Sequence, residues 1–152
     1  MQLPWEHETM TAMVSAEKIA QVMGLRRRVR SLGELSAAVQ QGLPKSALKT
    51  SLGKVFPEGA ERTAMLHQVI PEATFKRRRD HLKPEESERT ERLARVIATA
   101  HYVWDDEAEA RRFLITPHAE LDGVRPIEVA LTELGARRVE ELLWKLFYGV
   151  AV

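Results

Sequence analysis

The chain has 152 residues, enough for one ordinary domain or two small helical ones, with 44% hydrophobic and 30% charged residues and a net charge of +1. It contains no cysteine, which excludes disulfides and thiolate metal ligands. No apolar run approaches the ~18–20 residues of a membrane span, and no basic stretch leads into an apolar one as in a secretion signal, so a cytoplasmic protein with no membrane partner is expected.

The small net charge hides an asymmetry. Residues 1–80 carry 13 Lys/Arg against 8 Asp/Glu, and residues 81–152 carry 10 against 14. A basic half beside an acidic half suggests two surfaces with different partners.

Residues 1–8 read as irregular. Met10, Met13, Val14, Ile19, Val22 and Met23 have helical spacing over Thr9 to Met23, ended by Gly24. The basic run Arg26 to Arg30 reads as a solvated face. Leu32 to Val39 forms a short helix closed by Gly42, and Pro44 opens another through Leu48 and Leu52. Pro57-Glu58-Gly59 is punctuation. Ala60 to Val69 is a short helix, and Pro71 opens one that carries Phe75 and runs to about His81.

Pro84 with Glu85 and Glu86 marks a helix start, since carboxylates favour the positive end of the helix dipole. The following stripe, Leu93, Val96, Ile97, Ala100, Val103 and Trp104, places Trp104 in the core. Asp105 or Asp106 caps a helix bearing Phe113 and Leu114, ended by Thr116-Pro117. After the turn Leu121-Asp122-Gly123, Pro126 opens a short helix. A last helix follows Gly135, with Val139, Leu142, Leu143, Leu146 and Phe147 as its apolar set. Nothing alternates with period two. The fold class is all-α, built of many short helices, with a boundary near residues 82–88.

Two short helices around a tight turn match a helix-turn-helix in outline. Residues 61–67 would support, His67 to Pro71 turn, and Glu72 to His81 enter the major groove. Thr74, Lys76, Arg77, Arg78 and Arg79 are the DNA-binding candidates. At ~100° per residue these cations cannot all face one groove, so some are expected on phosphates and some on the acidic half. Phe75 is the core anchor of this helix.

No catalytic residue and no cofactor site emerge. The five histidines form no His-Glu-x-x-His pair, no glycine-rich phosphate loop occurs, and the acidic pairs sit at helix starts or on a helix surface.

The order of several short motifs is informative. They are Gly42-Leu43-Pro44; Ile70-Pro71-Glu72-Ala73-Thr74-Phe75-Lys76-Arg77-Arg78; Glu86-Ser87-Glu88-Arg89 with Arg92-Leu93 and Val96; and Ala108 through Phe113-Leu114. Leu121-Asp122-Gly123-Val124-Arg125-Pro126, then Gly135, Val139, Leu142 and Tyr148-Gly149, complete the set. In this order they resemble the Xre/MbcA/ParS antitoxins, partners of RES-domain toxins, over residues 42–149. Phe113 stands where tryptophan is common in that family, and residues 1–40 lie outside the resemblance.

The resemblance implies an Xre-like helix-turn-helix DNA-binding region over 41–83 and a small helical toxin-binding domain over 84–152, after an N-terminal segment 1–40. It implies an antitoxin that neutralises a RES-domain enzyme consuming NAD, and that represses its own operon by binding operator DNA as a homodimer. The alternatives are a stand-alone helix-turn-helix regulator and a pole-targeting or scaffold adaptor. An NAD-cleaving pocket must hold a pyrophosphate and should be cationic. The short apolar tail Val150-Ala151-Val152 with its carboxylate, released by Tyr148-Gly149, is therefore expected to plug it. Leu121, Gly123, Arg125 and Trp144 complete the expected toxin-binding set; Trp144 is read equally well as a half-buried core residue.

Overall fold

The computed structural model describes residues 13–149, and all regular structure there is helical. The helices are α1 (Ala16–Val22), α2 (Leu32–Gln41), α3 (Lys45–Gly53), α4 (Gly59–Val69), α5 (Glu72–Arg77), α6 (Pro84–Trp104), α7 (Glu107–Ile115), α8 (Pro126–Val129) and α9 (Glu133–Phe147), with a 3-10 turn at Ala119–Leu121. None of these helices is long and apolar enough to cross a membrane.

Helix starts are set by side-chain caps that satisfy otherwise orphaned backbone N–H groups. The hydroxyl of Ser15 accepts from the Lys18 N–H at 3.2 Å and that of Ser31 from Glu34 at 3.1 Å. Asp106 caps α7 by accepting from Glu109 at 2.9 Å, and Thr132 caps α9 by accepting from Gly135 at 3.0 Å.

α6 is the spine. The sequence predicts a single apolar stripe on it, yet Ala94, Ala98 and Thr99 are buried along with Leu93, Val96, Ile97 and Ala100. A helix buried around most of its circumference must be covered on several sides. α1, α2, α3 and α4 cover it from the chain before, and α7 and α9 from the chain after. The small residues at 94, 98, 99 and 100 leave room for helices on opposite faces.

Polar ties reinforce this packing. Arg95 Nε donates to Glu140 of α9 at 2.6 Å and Arg92 Nε donates to Glu133 at 3.0 Å. Burial disfavours the Arg95 charge, yet its hydrogen bond to Glu140 and the charge of Glu91 hold its pKa above the ordinary value.

Two glycines are structural. Gly42 ends α2 at φ +99°, and a Cβ there would lie 2.5 Å from the Leu82 carbonyl oxygen. Gly135, in the first turn of α9, is buried so tightly that a Cβ would lie 1.8 Å from the Val129 carbonyl oxygen.

Three expectations are corrected. The helix opened by Pro71 stops at Arg77 instead of running to His81. Its continuation turns extended and pairs with the start of α3, through Leu82 N–H to Leu43 O at 2.8 Å and Lys45 N–H to Asp80 O at 2.9 Å. Trp104 is 37% exposed, because it is the last residue of α6, where Asp105 turns left-handed at φ 49°. Phe147 is 44% exposed, because it ends α9 beyond the last buried pair, Leu142 and Leu143.

Candidate binding surfaces

The first surface is built on α4 and α5. Ile70 and Pro71 make the tight turn between them, with Ile70 fully buried. Phe75 anchors α5 in the core, meets the His67 ring edge-on at 6.4 Å and lies under the Lys45 ammonium at 4.4 Å. With Phe75 inward, the polar residues of α5 are left for solvent.

These residues fall into different roles. Arg77 donates to the Thr74 hydroxyl at 3.3 Å, and both stand towards the outer side of α5. Lys76 is exposed and pairs with Glu72 at 2.8 Å, one turn back; each charge stabilises the other, which raises the Lys76 pKa and lowers that of Glu72. Arg79 is exposed and makes no ion pair among the described residues.

Arg78 differs from its neighbours. Its Nε and its terminal nitrogen donate to the two carboxylate oxygens of Glu86 at 2.8 and 2.7 Å, a bidentate pair with both side chains largely covered. Glu86 also accepts from the Lys83 N–H at 2.9 Å. The Arg78 hydrogen bonds hold the Glu86 carboxyl below the usual carboxylate range, against the penalty of burial. The Lys45 ammonium donates to the Arg78 carbonyl at 2.9 Å. Arg78 therefore fastens the end of α5 to the start of α6.

The second surface is the C-terminal end of α9 with the adjoining end of α6. Trp144, Phe147 and Tyr148 of the first and Tyr102 of the second form one aromatic cluster. Trp144 lies 5.6 Å from Tyr102 and 5.5 Å from Phe147, and Phe147 lies 5.2 Å from Tyr148, centroid to centroid. Tyr102, Phe147 and Tyr148 are each more than 40% exposed and Trp144 is half-buried. Contiguous exposed aromatic area of this kind is uncommon on a surface without a partner.

The other expected members of this surface are dispersed. Leu121 is buried at 2% exposure, which places its side chain in the core under the loop. Gly123 lies in the exposed turn at φ +73°. Arg125 pairs with Glu128 at 2.7 Å and lies over the Phe56 ring. Gly149 follows α9 at φ +71°, and its N–H bonds the Leu146 carbonyl at 3.2 Å. Val150, Ala151 and Val152 lie outside the described residues.

Tyr102 and Phe147 belong to this surface and went unpredicted. Tyr102 stands off the apolar stripe of its helix, and an aromatic residue on the polar side was the available signal. Phe147 fits the stripe of α9, so spacing alone assigns it to the core.

Residues 34–95 match the family model described as the antitoxin Xre-like helix-turn-helix domain. Residues 99–149 match the one described as the antitoxin Xre/MbcA/ParS C-terminal toxin-binding domain. The basic surface lies within the first match, Trp144, Phe147 and Tyr148 within the second, and the two meet inside α6. Both are domains of a regulatory, non-enzymatic protein. No curated protein matches the chain.

Proposed function

We propose that this chain, which belongs to the Xre/MbcA/ParS antitoxin family, neutralises a RES-domain, NAD-consuming toxin by covering its active site. The observation that carries this reading is the exposed aromatic cluster Tyr102, Trp144, Phe147 and Tyr148 on the toxin-binding domain. Large aromatic side chains gathered at one spot supply the desolvated anchors that dominate binding energy. Gly123, Arg125 and Gly149 border the interface in this reading, and the tail 150–152 enters the toxin's cationic pocket.

Operator DNA is the second partner. α5 presents Thr74 and Arg77, with Lys76 beside them and Arg79 just past the helix end, to the major groove and its phosphates. Arg78 acts through Glu86, as a positioning residue for that helix. A homodimer in the cytoplasm would repress its operon by setting two such helices one helical turn of DNA apart. In this division residues 41–83 carry the DNA face and 84–152 the toxin face, with α1 and α2 packed on α6.

The test is to separate the two activities in intact protein. Arg79→Ala should weaken operator binding and leave toxin binding unchanged. The double variant Trp144→Ala, Phe147→Ala should do the reverse. Loss of both activities together in a folded variant would contradict the two-surface arrangement.

A further inference from the structure

The basic run Arg26–Arg30 joins α1 to α2 and belongs to neither surface described above. Arg26, Arg27, Arg28 and Arg30 are exposed, and none is in an ion pair among the described residues. The loop is nonetheless held in place. The Leu25 N–H bonds the Ala20 carbonyl at 3.1 Å, Val29 is buried, and the Arg30 N–H donates to the Glu34 carboxylate at 2.8 Å. With Val29 turned inward, Arg28 and Arg30 on either side of it stand in solvent. A loop fixed before binding loses little freedom on meeting a partner.

The position of the loop is set by α3. The rows Lys45–Lys49 and Ser46–Thr50 lie side by side on that helix, ~100° apart. The first row reaches towards α5, with the Lys45 and Lys49 ammonium groups 4.4 and 5.6 Å from the Phe75 ring. The second reaches towards the loop, since a Cβ on Gly24 would lie 3.0 Å from the Thr50 methyl. α3 therefore separates α5 from the start of the loop by one helix width, ~10–12 Å. Further along, Arg27 donates to Gln41 at 3.0 Å. The next residue, Gly42, has its Cβ position 3.8 Å from His81, which follows Arg79 closely in the chain.

We propose that this loop is a second DNA contact, a phosphate clamp beside the groove that receives α5. The proposal rests on the DNA reading of α5. The major groove is about 12 Å wide, so a basic loop one helix width from a helix seated in it falls over the phosphates at the groove's edge. Arg26, Arg28 and Arg30 supply the charge, with Lys49 between them and α5, while Arg27 is tied to Gln41. Guanidinium groups pair with phosphate oxygens through forked hydrogen bonds and release counterions, the part of DNA affinity that is independent of sequence. The one carboxylate bonded to the loop, Glu34, is engaged by the Arg30 N–H. An acidic protein surface could also meet these charges. The run of the loop past Lys49 towards Arg79 makes one extended cationic edge, and an extended polyanion fits that shape better.

The probe is a mixed-sequence duplex of about 30 base pairs, because phosphate contacts need no particular operator. Binding of the full chain is followed by fluorescence anisotropy across a salt series. The loop variant Arg26→Gln, Arg28→Gln, Arg30→Gln keeps the bonds to Gln41 and Glu34, so its thermal midpoint should not move. The control Arg112→Gln, Arg137→Gln, Lys145→Gln removes the same charge from exposed positions of the C-terminal half. The loop variant should lower the salt slope by about two to three and weaken binding at least about tenfold. The control should change the slope by less than about 0.5, since its charges are distant and screened. A loop variant that binds like the control, while Arg79→Ala still lowers the slope, would overturn the clamp and leave the reading of α5 standing. An unchanged slope in Arg79→Ala would overturn the reading of α5 and the clamp with it. Loss of inhibition of the proposed toxin by the loop variant, with its DNA slope intact, would overturn the clamp by assigning the loop to a protein partner.

Discussion

Arg78, just past the end of α5, and Glu86, in the first turn of α6, hold each other through two parallel hydrogen bonds of 2.8 and 2.7 Å. The pair fixes the end of the short helix α5 against the first turn of α6, so in the proposed DNA complex the angle of α5 would depend on a contact that does not itself face DNA. Arg78 and Arg79 are adjacent in sequence, and their substitutions should have different signatures.

Arg79→Ala should leave the thermal midpoint unchanged and lower the salt slope of operator binding by about one, as expected for loss of a single phosphate contact. Arg78→Ala should lower the thermal midpoint and weaken operator binding with little change in salt slope. Arg78→Lys should not rescue it, because an ammonium cannot reproduce the forked geometry. Salt titrations of operator binding beside thermal melts distinguish the two. An Arg78→Ala protein with an unaltered melt and a reduced slope would place Arg78 on the phosphates instead.

Much of this arrangement is legible in sequence. Gly42, Gly24 and Pro84 mark helix ends or starts that the structure keeps, and Pro117 and Gly123 mark the turns. The end of α5 is not legible, because Arg78, Arg79 and Asp80 are all compatible with helix. What ends it is pairing with Leu43 and Lys45, more than 30 residues away. Exposure is the other blind spot. Phe147 and Leu143 both fit one apolar stripe, yet only Leu143 lies where other helices cover α9. Leu121 reads as a loop residue and is buried, because the 3-10 turn packs against the middle of α9, where Arg138 bonds Glu120 and Asp122.

Gly135→Ala should be among the most damaging single changes. The added methyl would meet the Val129 carbonyl at 1.8 Å, a backbone atom that cannot move aside cheaply. Destabilisation of about 3 kcal/mol or more is expected, at the upper end of overpacking effects. Gly53→Ala is the control: nothing lies within 4 Å of its Cβ position, at the last residue of helix α3. That change should be neutral or stabilise by up to about 1 kcal/mol. Urea unfolding of both variants checks the contrast.

Stability should fall as the solution becomes mildly acidic. Burial holds the His101 imidazole below its ordinary pKa of 6.5, with Lys54 and Arg111 adding to the effect and Glu107 opposing it. A group with a depressed folded-state pKa contributes stability that is full above pH 6.5 and is lost as the pH falls towards the folded value. Glu86, held below 4.5 by Arg78, adds a second loss in the more acidic range. Glu91 works in the opposite sense, since burial raises its pKa. Thermal melts between pH 7.5 and 5.5 should show the first decline, and His101→Gln should flatten it.

The tail can be tested apart from the helix that carries it. A chain ending at Gly149 keeps the aromatic cluster and should still bind the toxin, while inhibiting it at least about tenfold less well. Equal inhibition by both forms would assign the block to the domain face alone.

The most direct test of the central claim is NAD consumption by the proposed RES-domain partner, titrated with the full chain and with its Trp144→Ala, Phe147→Ala variant. Each truncated aromatic anchor should cost about 2–4 kcal/mol of binding, ~30- to 1,000-fold. The account predicts that the full chain stops NAD loss near equimolar ratio and that the variant, still helical and still able to bind operator DNA, leaves the toxin active. A variant that inhibits as well as the full chain would contradict the account, and the aromatic face would then not be where the toxin is held.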